Sequence, residues 1–331
     1  MKVGTASIRG GAPCAVGYLE GRDTVVDIAR AAEWLGLVGE ACPTTTLGLL
    51  QLGRYGQDLI ADVGAELQGV DLEGVPWAAQ RADVQLLAPV KRPGKLVCIT
   101  SNRGHRPLEA TTPESQDEWP HPLFFLKAPN AVAPTGVTVA ATESMRPLEV
   151  EGEIALVIGR RAKAVSVADA AAYVAGVTLL IDMASGRFMD QDASIYHIAR
   201  GKGLEPELMY TRPVARGKGV DGFCPMGPWI TPLSDLSGTL DDVRLTTRVD
   251  EDVVQDGKMS SHRFTAEYCL SYVSRWLTFE PGDILSLGAV DQSPEFPMRD
   301  VDLVADGGRT VYVDGGELGE LVAAGRLATE S

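Results

Sequence analysis

The 331-residue chain carries 45 Asp and Glu against 30 Lys and Arg, a formal net charge of −15. That excess repels polyphosphate and offers no cationic strip to an anionic bilayer, which excludes nucleic acid and membrane surfaces as partners. Hydrophobic content of 45% and charged content of 23% describe a globular chain rather than a disordered or fibrous one, and no apolar run approaches the roughly 18 to 20 residues that span a bilayer.

Two short β-like runs, Lys2 to Ile8 and Ala15 to Glu20, flank a Gly-Gly-Ala-Pro turn at Gly10 to Pro13, and Val25 to Ala32 has helical character. The spacing predicts a second helix over Thr45 to Leu67, weakened by Gly48, Gly53 and Gly56. These elements make a small α+β unit. The stretch Ala88 to Gly94, dense in Pro, Gly and charge, reads as a connector before a buried strand at Lys95 to Thr100. Two domains follow, an N-terminal unit over 1–90 and a larger one over 91–331.

Beyond Lys95 strand signals dominate: Leu123 to Leu126, Gly136 to Ala140, Glu149 to Ile158, Val177 to Ile181, Leu245 to Val249, Asp283 to Leu287, Val301 to Val304 and Thr310 to Val313. One helix is expected from the capping-box-like Ser166 to Asp169 through Ala175, stopped by Gly176, and another from Phe264 to Trp276. The fold class expected is α+β, mainly β, with an antiparallel or mixed sheet. Met1 to Arg9 contain no apolar block of secretory type, so the cytosol is the expected compartment. Cys14, Cys42, Cys98, Cys224 and Cys269 are widely spaced with no metal-ligand pattern, as expected of reduced thiols that fill small gaps.

Glu149, Glu151 and Glu153 would share one face of a strand whose other face carries Val150, Ile154, Leu156 and Ile158. Carboxylates roughly 6.6 Å apart along a strand repel, raising a pKa or requiring a cation. A hard divalent ion, Mg²⁺, Mn²⁺ or Ca²⁺, suits such an oxygen-only set; a solvated acidic edge is the other reading. Asp182 ends the apolar run Val174 to Ile181, where a carboxylate needs a partner or a metal, or an exposed turn.

Glu151 to Gly159 resemble the Glu-x-Glu-Leu-x-x-Val-Ile-Gly stretch of the fumarylacetoacetate hydrolase family. Ala175 to Asp182, Lys218 to Ile230, Val253 to Gly257, Glu280 to Ile284 and Leu318 to Leu321 resemble further blocks in that family's order. The likeness spans roughly residues 95 to 323. It implies a β-roll catalytic domain, usually a homodimer, holding one divalent cation, Mg²⁺ or Mn²⁺, on Glu151, Glu153 and Asp182. It also implies an active-site lysine at Lys218, substrate-side roles for Lys127, Arg187 and Gln255, and a His/Glu base pair that falls on His105 and Glu109. The reaction implied is hydrolysis of a C–C bond in a β-diketo or acylpyruvate-type acid, a small-molecule 2-oxo acid; isomerisation, decarboxylation or hydro-lyase chemistry, or metal binding without catalysis, are the alternatives.

The sequence also departs from the family pattern. Arg103 replaces the tyrosine after Asn102, His105 comes one residue early, four positions rather than three separate it from Glu109, and Pro107 intervenes. Gly186 stands where an arginine is usual, with Arg187 one residue late, and Gly288-Ala289-Val290 replaces Gly-Thr-Pro. The metal half of the site is kept and the substrate half is altered.

Overall fold

Two long antiparallel strands, Leu148–Ile158 and Val174–Ser185, lie at the centre of a twelve-stranded mixed sheet, and their pairing runs in register from Leu148↔Ser185 to Val157↔Gly176. The computed structural model describes residues 1–39, 42–103, 121–198, 201, 207–291 and 301–329. A second, five-stranded sheet, in the order Asp252–Lys258, Arg244–Val249, Thr310–Asp314, Glu320–Ala328 and Val137–Thr142, packs against the first. The main core lies between them: Val150, Ile154, Leu156, Leu179 and Ile181 from the large sheet meet Leu245, Val249, Val311, Val313 and Leu321 from the small one. Helix Ala266–Trp276, capped by Thr265, adds Cys269, Leu270 and Val273 to this core. This is the expected α+β, mainly β, roll.

The central strand is buried on both faces, because Ala155 and Val157 join a separate cluster with Cys98, Leu180 and Cys224. Gly152 faces the small sheet, and a Cβ there would overlap Thr247 Oγ1 and come within 3.1 Å of Val313. A glycine between the two glutamates is thus a packing requirement. Asp283 anchors the neighbouring pair of parallel strands, Leu96–Thr100 and Ile284–Ala289. Its buried carboxylate accepts from Lys95 N at 2.8 Å and Glu280 N at 2.7 Å and pairs with Lys95 Nζ at 2.6 Å.

The N-terminal strands Lys2–Ile8, Cys14–Leu19, Thr24–Asp27, Ala78–Gln80 and Val84–Leu87 extend the large sheet, joined to it where Val3 pairs with Ile230 of Cys224–Thr231. Helices Ile28–Trp34, Thr46–Gln51 and Arg54–Glu66 cover a core of Val3, Val26, Ile28, Leu49, Leu59 and Val63. The expected helix over Thr45 to Leu67 is two helices, because Gly53 turns the chain at φ 59°. The expected helix from Val25 begins only at Ile28, capped by Asp27, which accepts from Arg30 N at 3.2 Å.

Two expectations are overturned. Ser166 and Asp169 do bond to each other, but they lead into a single 3₁₀ turn, Ala170–Tyr173, and Val174 is already strand. The ladder with Leu148–Ile158 reaches Val174, so sheet pairing overrides helix propensity. Val301 to Val304 form no strand; Asp302 instead accepts from Leu148 N at 3.0 Å and Val304 N at 3.2 Å, tying the segment to the start of the central strand. Gly152→Ala should destabilise the fold by about 1 to 3 kcal/mol through the forced separation of the sheets, seen as a lower urea midpoint with an unchanged m value.

Candidate active site

Strand alternation and register create the site together. Glu149, Glu151 and Glu153 alternate on one face of Leu148–Ile158, and the ladder sets Asp182 directly opposite Glu151. One carboxylate oxygen from each of Glu151, Glu153 and Asp182 lies within 4.8 Å of the others. Glu153 and Asp182 are buried, and Glu151 is about one-fifth exposed, with 21% of its side chain accessible.

Cations surround the cluster in layers. Lys127 Nζ, fully buried at the end of Leu123–Lys127, donates to Asp182 Oδ1, to Phe223 O at 2.7 Å and to Met183 O at 3.1 Å, which engages all three of its N–H donors. Lys218, on the short helix Ala215–Lys218, donates to Asp182 Oδ2 and to Glu151 Oε2 at 3.2 Å, and its ammonium lies 5.3 Å above the Phe125 ring. Arg103 Nη2 donates to Glu151 Oε1 at 2.9 Å.

The electrostatics follow from this geometry. Burial alone would raise the Asp182 carboxyl, but Lys127 and Lys218 together more than offset it and hold it below the usual range. Burial likewise opposes charge on Lys218, yet Asp182 and Glu151 outweigh it and hold its ammonium well above the ordinary value. Glu153 goes the other way. Burial, then repulsion from Asp182 and Glu151, push it up to about 8, with only the Ser286 hydroxyl bonded to it as a stabiliser of the carboxylate. Three convergent carboxylates, one of them raised by burial and by its two acidic neighbours, form an oxygen donor set that fits a hard divalent ion. Glu149 is raised by burial and packs its carboxyl where a side chain on Gly186 would stand. That packing explains why position 186 holds glycine.

The remaining candidates occupy different places. Gln255 is buried and brackets Gly152, accepting from its N–H at 2.6 Å and donating to its carbonyl at 3.2 Å, beside the irregularity in pairing between Leu148–Ile158 and Ile284–Ala289. It therefore positions the segment carrying Glu151 and Glu153. Arg187 is exposed on helix Gly186–Gln191. His105 and Glu109 lie outside the described residues. The sequence reading missed Ser286, whose only signal is a hydroxyl inside the apolar run of Ile284–Ala289, and took Arg103 as a departure rather than a participant. The cysteines are not poised as nucleophiles: burial pushes Cys224 and Cys269 up to about 12 and Cys98 well above its usual value.

Beside the site, Asn102 is buried and fully engaged. Its Nδ2 donates to Leu287 O at 2.9 Å and Phe264 O at 3.2 Å, and its Oδ1 accepts from Phe264 N at 2.9 Å. Arg103 bridges backbone to backbone with His262, whose ring lies 3.3 Å from Ala289 O.

Residues 95–324 match the fumarylacetoacetate (FAA) hydrolase C-terminal family. Human oxaloacetate tautomerase FAHD2A, mitochondrial, is 31% identical over 209 residues, 63% of this chain; the match spans 59% of that protein's length. By structure, the chain resembles a fumarylacetoacetate hydrolase from Exiguobacterium antarcticum, with TM-score 0.72 and 21% identity over 99% of this chain and 100% of that one. It also resembles a maleylpyruvate hydrolase from Sphingobium sp. SYK-6 in complex with manganese(II) and pyruvate, with TM-score 0.66 and 21% identity over the full length of both. These two likenesses concern the fold.

Burial lowers the His262 pKa from 6.5 to about 4, against the pull of Ala289 O and Asp291 and with the help of Arg103. The folded protein disfavours the imidazolium, so in this interval the unfolded chain binds the extra proton and stability falls with pH. His262 should cost about 2 kcal/mol of stability between about pH 7.5 and pH 5, less whatever solvent screens. Urea denaturation at both pH values should show this loss diminished in His262→Gln.

Proposed function

The chain belongs to the fumarylacetoacetate hydrolase family, and from that premise we propose that it is a divalent-cation-dependent enzyme that hydrolyses a C–C bond in a β-diketo or acylpyruvate-type acid. The observation that carries the proposal is the convergence of Glu151, Glu153 and Asp182 at one point flanked by Lys218. Glu151, Glu153 and Asp182 would hold Mg²⁺ or Mn²⁺, which would supply Lewis acidity toward a 2-oxo acid. Asp182 remains ionised because both its oxygens face ammonium groups. Lys218 sets a fixed positive charge where an enolate oxygen develops, and its buried setting strengthens that attraction. Lys127 balances the cluster from within, and Gln255 holds the ligand strand straight. Hydrolysis adds water across the bond, hydroxide to the acyl carbon and a proton to the carbon leaving with the 2-oxo acid. We assign the removal of the water proton to His105 with Glu109.

A second reading is tautomerisation or decarboxylation of a 2-oxo acid, which needs the same enolate stabilisation without an activated water. Two observations favour it: the relative named oxaloacetate tautomerase and the altered sequence around His105. The five free thiols suit a reducing compartment, as in the cytosol. Among the described residues no helix is long and apolar enough to cross a membrane.

Titrating Mn²⁺ calorimetrically into chelator-stripped protein should show binding that oxalate strengthens, and Glu153→Ala should lose both effects. Absence of binding to the wild type would overturn the proposal. With an acylpyruvate, release of pyruvate and a carboxylic acid supports hydrolysis; with oxaloacetate, whose second carboxylate is β to the ketone, solvent deuterium exchange or CO₂ release without any hydrolysis of the acylpyruvate supports the second reading.

We further propose a homodimer. Among the described residues the hairpin Ser194–Ile198 and Glu207–Thr211 pairs with no other strand, and Ile195, Leu208 and Tyr210 on one of its faces are each more than half exposed. A lone two-stranded ribbon is marginal in water. Two copies, each at −15, meet most favourably through such an uncharged surface. Sedimentation velocity should give twice the chain mass for the wild type and the chain mass for Ile195→Glu/Tyr210→Glu; a monomeric wild type would refute the dimer.

A further inference from the structure

We propose that Arg216 is a positioning residue for the active site: by clasping Asp192 it fixes the one-turn helix Ala215–Lys218, and with it the place at which the Lys218 ammonium meets Asp182 and Glu151. The inference rests on the reading of Lys218 as the charge that meets the 2-oxo acid, and adds what holds that charge in place.

The helix does not place itself. Four residues make a single turn, too short to be stable alone, and no side chain caps its start. The bonds that close it are backbone ones, from Lys218 N to Val214 O at 2.8 Å and from Gly219 N to Ala215 O at 2.9 Å. Nor do the lysine's own ion pairs define its place, because an ammonium on a flexible four-carbon stem can meet the same carboxylates from many directions. Whatever fixes the helix comes from the structure around it.

Arg216 supplies that fixed contact. Its Nε and Nη2 donate to Asp192 Oδ2 at 3.0 Å and Oδ1 at 2.8 Å, the two-point geometry in which guanidinium and carboxylate set each other's orientation as well as distance. Nη2 also reaches Gln191 Oε1 at 3.0 Å, and the guanidinium lies 4.2 Å above the Phe188 ring. All three partners belong to helix Gly186–Gln191 or to the residue that ends it. Residues two apart on a helix point roughly 200° from each other, so Arg216 grips that neighbour on one side while Lys218 reaches the carboxylates on the other. Gly217, between them, is buried; a Cβ there would lie 2.4 Å from Met189 Cγ and 2.9 Å from Ser185 O, which shows how closely the two backbones pack.

These contacts close a circuit. Asp182 lies on strand Val174–Ser185, which runs directly into helix Gly186–Gln191 through Ser185, whose hydroxyl caps that helix by accepting from Phe188 N at 3.2 Å. Asp192 follows, Arg216 holds it, and Lys218 returns to Asp182. Between Asp192 and Arg216 the chain makes the excursion that includes the hairpin Ser194–Ile198 and Glu207–Thr211, so covalent connection alone would tether Lys218 only loosely to the strand of Asp182. Arg212 adds a second bond across the base of this excursion, to Asp190 at 2.8 Å, but it meets that carboxylate through one nitrogen, and the Asp190 side chain is 68% exposed against 32% for Asp192. Arg216 is the stronger of the two holds.

The test uses the manganese-loaded full chain with oxalate as the probe, read by calorimetry. Arg216→Gln should weaken oxalate binding about fivefold, as expected for loss of a well-formed charge-assisted contact, while the affinity for Mn²⁺ alone changes by less than about twofold. Asp192→Asn should cause the same loss, and the double variant no more than either, because each breaks the same contact. In a Lys218→Met background Arg216→Gln should have no further effect on oxalate, since the group it positions is gone; an undiminished loss there would show that Arg216 acts on the fold at large and would overturn the proposal. A second measurement needs no ligand. Lys218 should react with an acylating reagent faster in Arg216→Gln than in the wild type by the same factor, with Lys127 unchanged, as read by mass spectrometry of digests. Unaltered labelling of Lys218, or faster labelling of both lysines, would refute the role of Arg216. Failure of the wild type to bind oxalate would remove the reading of Lys218 as a substrate contact, and the labelling would then decide by itself whether Arg216 positions that lysine.

Discussion

The register between Leu148–Ile158 and Val174–Ser185 is the constraint on which the rest of the molecule depends. It sets Glu151 opposite Asp182 and, two positions on, places Glu153 beside Leu180. Because side chains alternate with period two, a slip of one residue would turn the carboxylates into the main core and Val150 and Ile154 toward the cations. The apolar residues that fill the space between the sheets therefore specify the active centre. Hydrophobic burial on one face fixes electrostatics on the other, and Gly152 links the two by letting the small sheet approach between the glutamates.

This arrangement concentrates charge where solvation cannot relieve it. Buried ions persist only when their partners are geometrically exact, since desolvation exceeds the Coulomb attraction of a poorly placed pair. Asp182 meets that condition with an ammonium at each oxygen, and Lys127 meets it by donating to two backbone carbonyls as well. Among the described residues Glu153 has only a hydroxyl. The asymmetry gives the site its direction: cations crowd Asp182 and Glu151, and the side of the cluster toward Glu153 is where the described residues supply no ammonium or guanidinium.

Much of this was legible in the sequence and some was not, for identifiable reasons. The alternation of Glu149, Glu151 and Glu153 against Val150 and Ile154 is a local pattern, and strands with such patterns formed within a residue or two of where they were expected. The Ser166 to Ala175 helix failed because a ladder contributed by residues some twenty positions earlier extends to Val174, which no local pattern reveals. Gln255 looked like a substrate contact because it is a polar residue within a family-like block. Its engagement with Gly152 depends on a local irregularity in the pairing of a strand about a hundred residues away. Ser286 was invisible for a similar reason, since a hydroxyl in an apolar strand gains meaning only when the facing residue is known.

The pattern of kept and changed residues follows depth. Glu151, Glu153, Asp182 and Lys218 are tied into each other by charge, and to replace one would strand the others in a medium that penalises unpaired ions. Arg103 and Arg187 are more exposed, where water can solvate a group that loses its partner. Gly186 shows the two regimes joining: a side chain at that place would overlap the Glu149 carboxylate. A site built this way can vary at its rim while the strand register holds its centre fixed, and the rim is accordingly where this chain differs from the pattern it otherwise keeps.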